Sequence, residues 1–302
     1  MGPYPPVVLP KAVAQRVPHM MQQALPQWVH SRASPLITRW LQHGVPIPLT
    51  STPPVFFHRT IPSSHEEGVA IRDQIQEYLN SGVISPVPVA PPCISRLTTT
   101  RRADGRFRLI ADLRPLNQVV AAPKFKSEDI RTAITMVNPG DFMSTIDLKD
   151  GFLHIPVHPS HCQYLGFEWQ GDYFQFNALP FGLRASPYVF GKVVREVTTM
   201  LRAAGVPVMA YVDDFLITGK SYSECARHTE QVTTLLQSLG WSINHKKSQL
   251  EPSQVREYLG FIIDSTVLQS TLRCPQKRRI ALGMTFPAYD GKPSRASYLP
   301  EH

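Results

Sequence analysis

Two adjacent carboxylates, Asp213 and Asp214, lie at the centre of a strongly β-prone apolar run, residues 209–218. The pattern predicts a strand–turn–strand hairpin with both acids at its tip. Two unit charges about 4 Å apart repel by roughly 4 kcal/mol at an effective dielectric constant of about 20. An apolar frame around such a pair therefore favours a divalent cation. Paired carboxylates that bind metal are typical of phosphoryl or nucleotidyl transfer.

The bulk composition sets limits on class and partners. The chain has 302 residues and a formal net charge of +8, and its length suits one large domain or two modest ones. The charge suits a polyanionic partner, although a basic protein without such a partner has the same balance. No two of the four cysteines form a C-x-x-C unit, which favours reduced thiols in an intracellular compartment. No apolar run approaches membrane-spanning length, so we expect no membrane partner.

Proline marks off the first part of the chain. Much of the proline, 29 residues in total, falls in the N-terminal third. Long helices and central strands are excluded there, so residues 1–62 are predicted to form a proline-rich N-terminal extension. This extension is either an extended arm that lies across a neighbouring domain or a partly disordered leader.

The pattern becomes more regular beyond this extension. Ser64 and Glu67 form a predicted capping box at the start of a helix, and Ser186, followed by proline, predicts the cap of a second helix. Residues 107–112 and 142–147 are predicted strands. Because strands, hairpins and helices alternate irregularly, the sequence favours an α+β fold over a doubly wound parallel sheet.

Asp147 is the candidate third acid. It ends the predicted strand 142–147. If that strand pairs with the hairpin, three carboxylates meet at one end of a sheet. Three acids suit two Mg²⁺ ions that also contact substrate phosphates. Alternatively, Asp147 caps the turn that follows it, as aspartates at strand ends often do.

Six motifs together resemble those of one known family. Residues 211–214 resemble the Y-x-D-D box of reverse transcriptases. Five further motifs occur in that family's order: the fingers motif at 107–117, the first catalytic-aspartate motif at 144–152, the L-P-F-G-L-x-x-x-P box at 179–187, the lysine motif at 244–248 and the primer grip at 258–261. On these motifs the chain is identified as a member of the reverse transcriptase family over about residues 64–275.

The resemblance implies a fold and an activity. It implies the fingers and antiparallel palm sheet of a right-hand polymerase in residues 63–270, with the thumb truncated or absent and residues 271–302 as a thumb stub or disordered basic tail. The implied function is a retroelement RNA-directed DNA polymerase, a nucleotidyltransferase that adds dNTPs to a primer on an RNA or DNA template. Other retroelement polyprotein domains are its implied partners. The alternative is a truncated, catalytically silent remnant that still binds nucleic acid.

The subgroup within the family has two candidates. The proline-rich leader with Trp28 and Trp40 resembles retrotransposons of the tyrosine-recombinase (DIRS-like) group. LTR-type elements related to retroviruses are the alternative.

The resemblance also implies roles for single residues. Asp147, Asp213 and Asp214 would hold two Mg²⁺ ions, with Mn²⁺ as an alternative metal. Phe152 would close the space beneath the sugar and reject a 2′-hydroxyl group, which implies DNA synthesis. Contacts with the incoming nucleotide or its metal ions are implied for Arg101 or Arg102, Arg108, Leu148, Phe181, Gly182, Arg184 (alternatively a template contact) and Lys247 (alternatively Lys246). Contacts with primer or template are implied for Tyr211, Leu259 and Gly260.

Plainer alternatives stay open for several of these residues. Arg108 also fits a surface charge on a strand, and Phe152 also fits a core side chain. Lys247 also fits a solvated charge at the end of a helix or strand. The basic residues between Arg273 and Arg279 either line the path of a nucleic-acid duplex or belong to a solvated tail.

Overall fold

A computed structural model of the chain describes residues 3–10, 17–101, 107–121, 123, 128–267 and 279–280. The helices in this part are α1 (Val17–Gln23), α2 (Leu25–His30), α3 (Pro35–His43), α4 (His65–Asn80), α5 (Arg114–Asn117), α6 (Ile130–Met136), α7 (Pro159–Cys162), α8 (Ser186–Ala203) and α9 (Tyr222–Ser238). The strands are β1 (Phe56–Phe57), β2 (Ile84–Val87), β3 (Cys93–Ile94), β4 (Leu97–Arg101), β5 (Phe107–Ala111), β6 (Phe142–Asp147), β7 (Gly166–Trp169), β8 (Asp172–Phe176), β9 (Val208–Tyr211), β10 (Asp214–Gly219), β11 (Gln249–Ser253), β12 (Val255–Tyr258), β13 (Phe261–Asp264) and β14 (Arg279–Ile280). Helices and mixed sheets together confirm the predicted α+β class.

The Asp-Asp hairpin belongs to a four-stranded antiparallel sheet, which we call the central sheet, in the order β11-β6-β10-β9. Asp214, the first residue of β10, pairs with Tyr211 on β9 and with Asp147 on β6. Val212 and Asp213 are left as the two residues of the turn. The predicted hairpin and its predicted pairing with β6 are confirmed. One detail differs: of the two acids, only Asp213 lies in the turn, whereas Asp214 is the first residue of the strand.

Two long helices support the central sheet. Helix α9 packs on β6 and β10, and α8 packs on β9. Helix α9 begins at a serine cap, where the Ser221 side chain accepts a hydrogen bond of 3.1 Å from the Glu224 N–H. Its Val232 and Leu236 side chains are completely buried. Burial of side chains this size contributes about 1.5–3 kcal/mol each, so packing on these helices holds the sheet that carries the acids.

Helix α8 begins where the sequence predicts, but its cap differs. Ala185 is the N-cap residue. The Ser186 hydroxyl donates a hydrogen bond of 3.1 Å to the carbonyl of Pro180. The prediction that Ser186 caps the helix is therefore wrong. The serine instead fastens the preceding loop to the first turn of α8, while proline still occupies that turn, where its missing N–H costs nothing.

A second, five-stranded sheet has the order β1-β3-β7-β8-β2, and β4 and β5 form a separate pair. The predicted cap of α4 is present, since Ser64 accepts a hydrogen bond of 3.1 Å from the Glu67 N–H. The Glu67 carboxylate also accepts a hydrogen bond of 3.0 Å from the Thr99 hydroxyl on β4. Burial raises the pKa of Glu67, but hydrogen bonds from Ser63 and Thr99 outweigh it and leave the pKa below its ordinary value. These bonds tie the start of α4 to the β4–β5 pair.

The proline-rich N-terminal part contains three short helices. Helices α2 and α3 each carry proline in the first turn, the one helical position where proline fits without loss. Trp28 and Leu41 are completely buried in the main core. The Trp28 Nε1–H donates a hydrogen bond of 2.9 Å to the carbonyl of Leu239, far along the chain. The proline content predicted that no long helix forms in this region, and these short helices are compatible with that prediction.

The residues before these helices run along α4. The Gln76 side chain accepts a hydrogen bond from the Val8 N–H at 2.7 Å and donates one to the Val8 carbonyl at 2.8 Å.

The division of the chain at residues 62 and 270 stays a prediction. Most of the segment 271–302 lies outside the described residues. None of the described helices is long and apolar enough to cross a membrane.

Candidate active site

The three predicted acids lie together at one end of the central sheet. Asp147 and Asp214 are direct cross-strand partners, and their carboxyl groups share a hydrogen bond. Asp213 precedes Asp214 in the turn, and its carbonyl accepts a hydrogen bond of 3.0 Å from the Leu148 N–H. Main-chain hydrogen bonds between β6 and the β9–β10 hairpin therefore hold the three acids together.

The turn that holds Asp213 has unusual main-chain geometry. Val212 has a φ of +55°, in the left-handed region that β-branched residues rarely adopt. Its side chain packs against the main core. Strain of this kind persists only where the surrounding structure enforces it, and it is concentrated at functional sites.

Burial opposes ionisation of all three acids, and repulsion from neighbouring acids of the cluster adds to this effect at Asp213 and Asp214. Burial, followed by the charges of Asp213 and Asp147, raises the pKa of Asp214 to about 7. Burial and the Asp147 charge raise the pKa of Asp213. Burial also raises the pKa of Asp147, although Lys247 and Asn244 oppose that shift. A bound cation would favour the ionised form of each group.

The donor set fits a hard divalent metal. Carboxylate oxygens are the ligands that Mg²⁺ and Mn²⁺ prefer. Within the described ranges, no three His, Cys, Asp or Glu side chains are already arranged as ligands around one point. The Asp147 and Asp214 carboxyl groups instead hydrogen-bond to each other. A divalent ion bound here would be held by Asp147, Asp213 and Asp214.

Lys247 lies beside this cluster. Its Nζ is 3.9 Å from Oδ2 of Asp147, and its side chain is 52% exposed. Half-exposed ion pairs contribute about 0–1 kcal/mol, so the pair adds little to stability. The position next to the acids is compatible with the predicted nucleotide contact, which stays a prediction.

Three aromatic rings and an arginine pack together near Asp213, on which the Arg108 charge acts. The ring centroid of Phe152 lies 5.3 Å from that of Phe181 and 4.9 Å from that of Phe190. Phe152 packs against the core and keeps part of its surface exposed. The Arg108 Cζ lies 4.8 Å from the Phe181 centroid. Stacking fixes the plane of this guanidinium, whose edge N–H groups match phosphate oxygens.

The loop between Phe181 and Arg184 is held against β5. Gly182 has a φ of +103°, and a Cβ there would lie 2.3 Å from the carbonyl oxygen of Ala111, so this position needs glycine. The Asn117 Nδ2 donates to the Gly182 carbonyl, and its Oδ1 accepts from the Arg184 N–H, both at 2.8 Å. Sequence reasoning placed Asn117 in the fingers motif but missed this bridge.

The predicted primer contacts lie on two elements that meet Asp214. Tyr211, the cross-strand partner of Asp214 on β9, is 39% exposed. Leu259 and Gly260 form the turn between β12 and β13, with φ of +51° and +77°, as in a two-residue type I′ turn. The Tyr258 hydroxyl donates a hydrogen bond of 2.9 Å to the carbonyl of Asp214. Sequence reasoning did not assign Tyr258 this link.

Two predicted nucleotide contacts cannot be placed relative to the acids. Arg101 ends β4, but its side chain lies outside the part that the structure describes, as does all of Arg102. Both therefore stay predictions.

His154 lies in a 3₁₀ turn, Gly151–His154, just after β6. Burial lowers the pKa of His154 to about 4, against the opposing effects of Asp150 and Gly151, while Lys149 lowers it further. Its Nε2 accepts a hydrogen bond of 3.2 Å from the Ser242 N–H. The folded protein therefore keeps this imidazole neutral.

We expect His154 to make the free energy of unfolding rise with pH between about 4 and 6.5, by up to about 1.4 kcal/mol per pH unit. The unfolded histidine, with an ordinary pKa, binds a proton over a range where the folded one does not. The stabilisation is thus complete above that range and is lost as the pH falls. His154→Gln should flatten this part of the profile in urea denaturation, and equal slopes for both proteins would contradict the assignment.

Comparison with known proteins identifies sequence relatives. The family model described as reverse transcriptase (RNA-dependent DNA polymerase) matches residues 100–263, just over half of the chain. The Gag-Pol polyprotein of gibbon ape leukemia virus is 30% identical over 224 residues, which cover 68% of this chain. That of avian reticuloendotheliosis virus is 26% identical over 258 residues, which cover 82%. The chain spans 13% and 21% of these two polyproteins.

Solved structures show the same fold. A foamy viral protease-reverse transcriptase in complex with double-stranded DNA has a TM-score of 0.65 and 21% identity, covering 87% of this chain and 48% of that one. A foamy viral protease-reverse transcriptase in complex with an RNA/DNA hybrid has a TM-score of 0.62 and 21% identity, covering 87% and 37%.

Proposed function

The chain belongs to the reverse transcriptase family, and we propose that it is an RNA-directed DNA polymerase that adds dNTPs to the 3′ end of a primer. The observation that carries the proposal is the cross-strand pairing of Asp147 with Asp214, with Asp213 in the adjoining turn. Two divalent ions bound by these acids would activate the attacking hydroxyl and neutralise the leaving pyrophosphate.

The other residues of the site have separate tasks in this proposal. Arg108 binds the triphosphate through its guanidinium edge, and its stacking on Phe181 supports that role. Phe152 closes the pocket beneath the sugar. The Leu259–Gly260 turn positions the primer strand, and its left-handed main chain supports a close approach of backbone to nucleic acid.

The fold gives these residues a common frame. The central sheet is the palm of a right-hand polymerase, and the five-stranded sheet with the β4–β5 pair forms the fingers. The proposed partners are a primer on an RNA or DNA template, incoming dNTPs and other domains of a retroelement polyprotein. Complexes of the foamy viral enzymes with double-stranded DNA and with an RNA/DNA hybrid support this choice. The DIRS-like subgroup stays a prediction, since the relatives described above are retroviral.

Primer extension by the full chain tests the proposal. A labelled DNA primer on an RNA template, with dNTPs and Mg²⁺ or Mn²⁺, should be extended by the wild type and not by Asp213→Asn. Retained binding of the primer–template without extension in either metal would support the silent, nucleic-acid-binding remnant instead.

We expect Arg108→Ala to raise the KM for dNTP roughly tenfold to a hundredfold, because hydrogen bonds to a charged phosphate contribute about 1.5–3 kcal/mol. Arg108→Lys should recover part of the loss, since an ammonium keeps the charge but not the fork. Steady-state kinetics with varied dNTP measure this effect. Arg59→Ala, at a two-thirds exposed arginine paired with Glu168, is the matched control and should leave KM unchanged. An unchanged KM in Arg108→Ala would indicate that Arg108 is a surface charge without contact to the nucleotide.

A further inference from the structure

We infer that Asn244 is a positioning residue that sets the orientation of the Asp147 carboxylate for metal binding. This inference rests on the proposed function, because it concerns the same acids. Asn244 is the first residue of the lysine motif, 244–248, in which only lysine has an implied role.

The main chain around Asn244 is bonded to that of Asp147. The Asn244 N–H donates a hydrogen bond of 2.8 Å to the Asp147 carbonyl. The Asp147 N–H donates one of 3.0 Å to the Ser248 hydroxyl oxygen. The residue before Asn244 continues the contact, since Ile243 pairs with Leu148 in an isolated β-bridge. The segment 244–248 thus follows the end of β6 closely.

The side chain of Asn244 then fixes one carboxylate oxygen. Its Nδ2 donates a hydrogen bond of 2.8 Å to Oδ1 of Asp147, in a partly buried setting. The other oxygen, Oδ2, lies 3.9 Å from Nζ of Lys247. A carboxylate with one oxygen held by an amide donor has a set plane, which leaves Oδ2 to face a cation.

The Asn244 turn is also held by hydrogen bonds within itself, which do not use the Asp147 carboxylate. The Asn244 carbonyl accepts hydrogen bonds from the Lys247 N–H at 3.0 Å and from the Ser248 N–H and hydroxyl, both at 2.9 Å. Three donors on one carbonyl make the turn a rigid support. Such a support keeps the Asn244 amide in place, and with it the orientation of the Asp147 carboxylate that the amide holds.

Metal binding without substrate tests the inference. Mn²⁺ titration of the full chain, followed by electron paramagnetic resonance of the free ion, should show a roughly tenfold to hundredfold weaker Kd for Asn244→Ala, as is usual when a residue that orients a ligand is lost. Asn244→Ser, which is too short to reach Oδ1, should behave alike and serves if the alanine variant does not fold. Melting temperatures in EDTA separate affinity from stability.

Asn138→Ala is the matched control. Asn138 donates a hydrogen bond of 3.2 Å to Oδ2 of Asp141, an asparagine–aspartate pair away from the three acids. It should melt at a lower temperature with unchanged Mn²⁺ affinity. Wild-type affinity in both Asn244 variants, equal weakening in Asn138→Ala, or wild-type binding that Asp147→Asn does not reduce would each overturn the inference. Wild-type Mn²⁺ binding without primer extension would instead reject the proposed function and leave the inference standing.

Discussion

Asp214→Asn is expected to abolish primer extension and, at the same time, to stabilise the metal-free protein. Loss of one of three metal-holding carboxylates should remove several kcal/mol of transition-state stabilisation, or about a thousandfold in rate. Asparagine resembles the protonated Asp214 and keeps a donor toward Asp147. The fold should therefore survive the change.

The gain in stability follows from the raised pKa of Asp214, about 7 in the folded protein against an ordinary 3.8. Between these values the unfolded chain releases the proton and the folded chain retains it, so this carboxyl favours unfolding increasingly as the pH rises. Asparagine does not titrate. Above pH 7 the variant should be more stable by on the order of 4 kcal/mol, and below pH 4 by almost nothing.

Thermal melting in EDTA at several pH values and primer extension measure the two effects. Asp172→Asn is the control, because Asp172 is exposed at the start of β8 and should change neither. Extension by Asp214→Asn at the wild-type rate would reject the metal-holding role. A melting temperature that does not rise with the substitution at pH 8 would reject the electrostatic account.

The convergence of the acids was predictable, but the register of the turn was not. Apolar strands on both sides of Asp213-Asp214 and before Asp147 predict the pairing through their β-prone pattern. The two-residue turn places Val212 at φ +55°. Sequence rules expect glycine, asparagine or aspartate there, so a valine gives no local sign of the turn. Tertiary packing decides this conformation.

The contacts that Asn244 and Tyr258 make with the acids could not be predicted because they join distant parts of the chain. Asn244 and Asp147 are 97 positions apart, and Tyr258 and the Asp214 carbonyl are 44 apart. Local spacing carries no information about such pairs.

The N-terminal helices were missed for a local reason. Proline is excluded from a helix interior but is favoured in the first turn, as α2 and α3 illustrate. The proline content alone did not distinguish a region without helices from one with short helices that begin at proline.

Phe152→Val should reduce discrimination against ribonucleotides roughly tenfold to a hundredfold. The ring packs edge-on to Phe190, 4.9 Å between centroids, and tilts against Phe181, so two neighbours hold it in place. A ring held this way cannot move aside for a 2′-hydroxyl group, whereas valine leaves room for it. Steric selection of this size corresponds to about 1–3 kcal/mol.

The measured quantity is the ratio of kcat/KM for each dNTP to that for the matching rNTP. Phe152→Tyr keeps the ring and should keep the ratio. Phe56→Val, at a partly buried phenylalanine in the five-stranded sheet, reports the effect of lost packing alone and should also keep it. If Phe152→Val lowers stability by about 1–3 kcal/mol, as a core truncation does, and leaves the ratio unchanged, then Phe152 is a core side chain and the choice of sugar is made elsewhere.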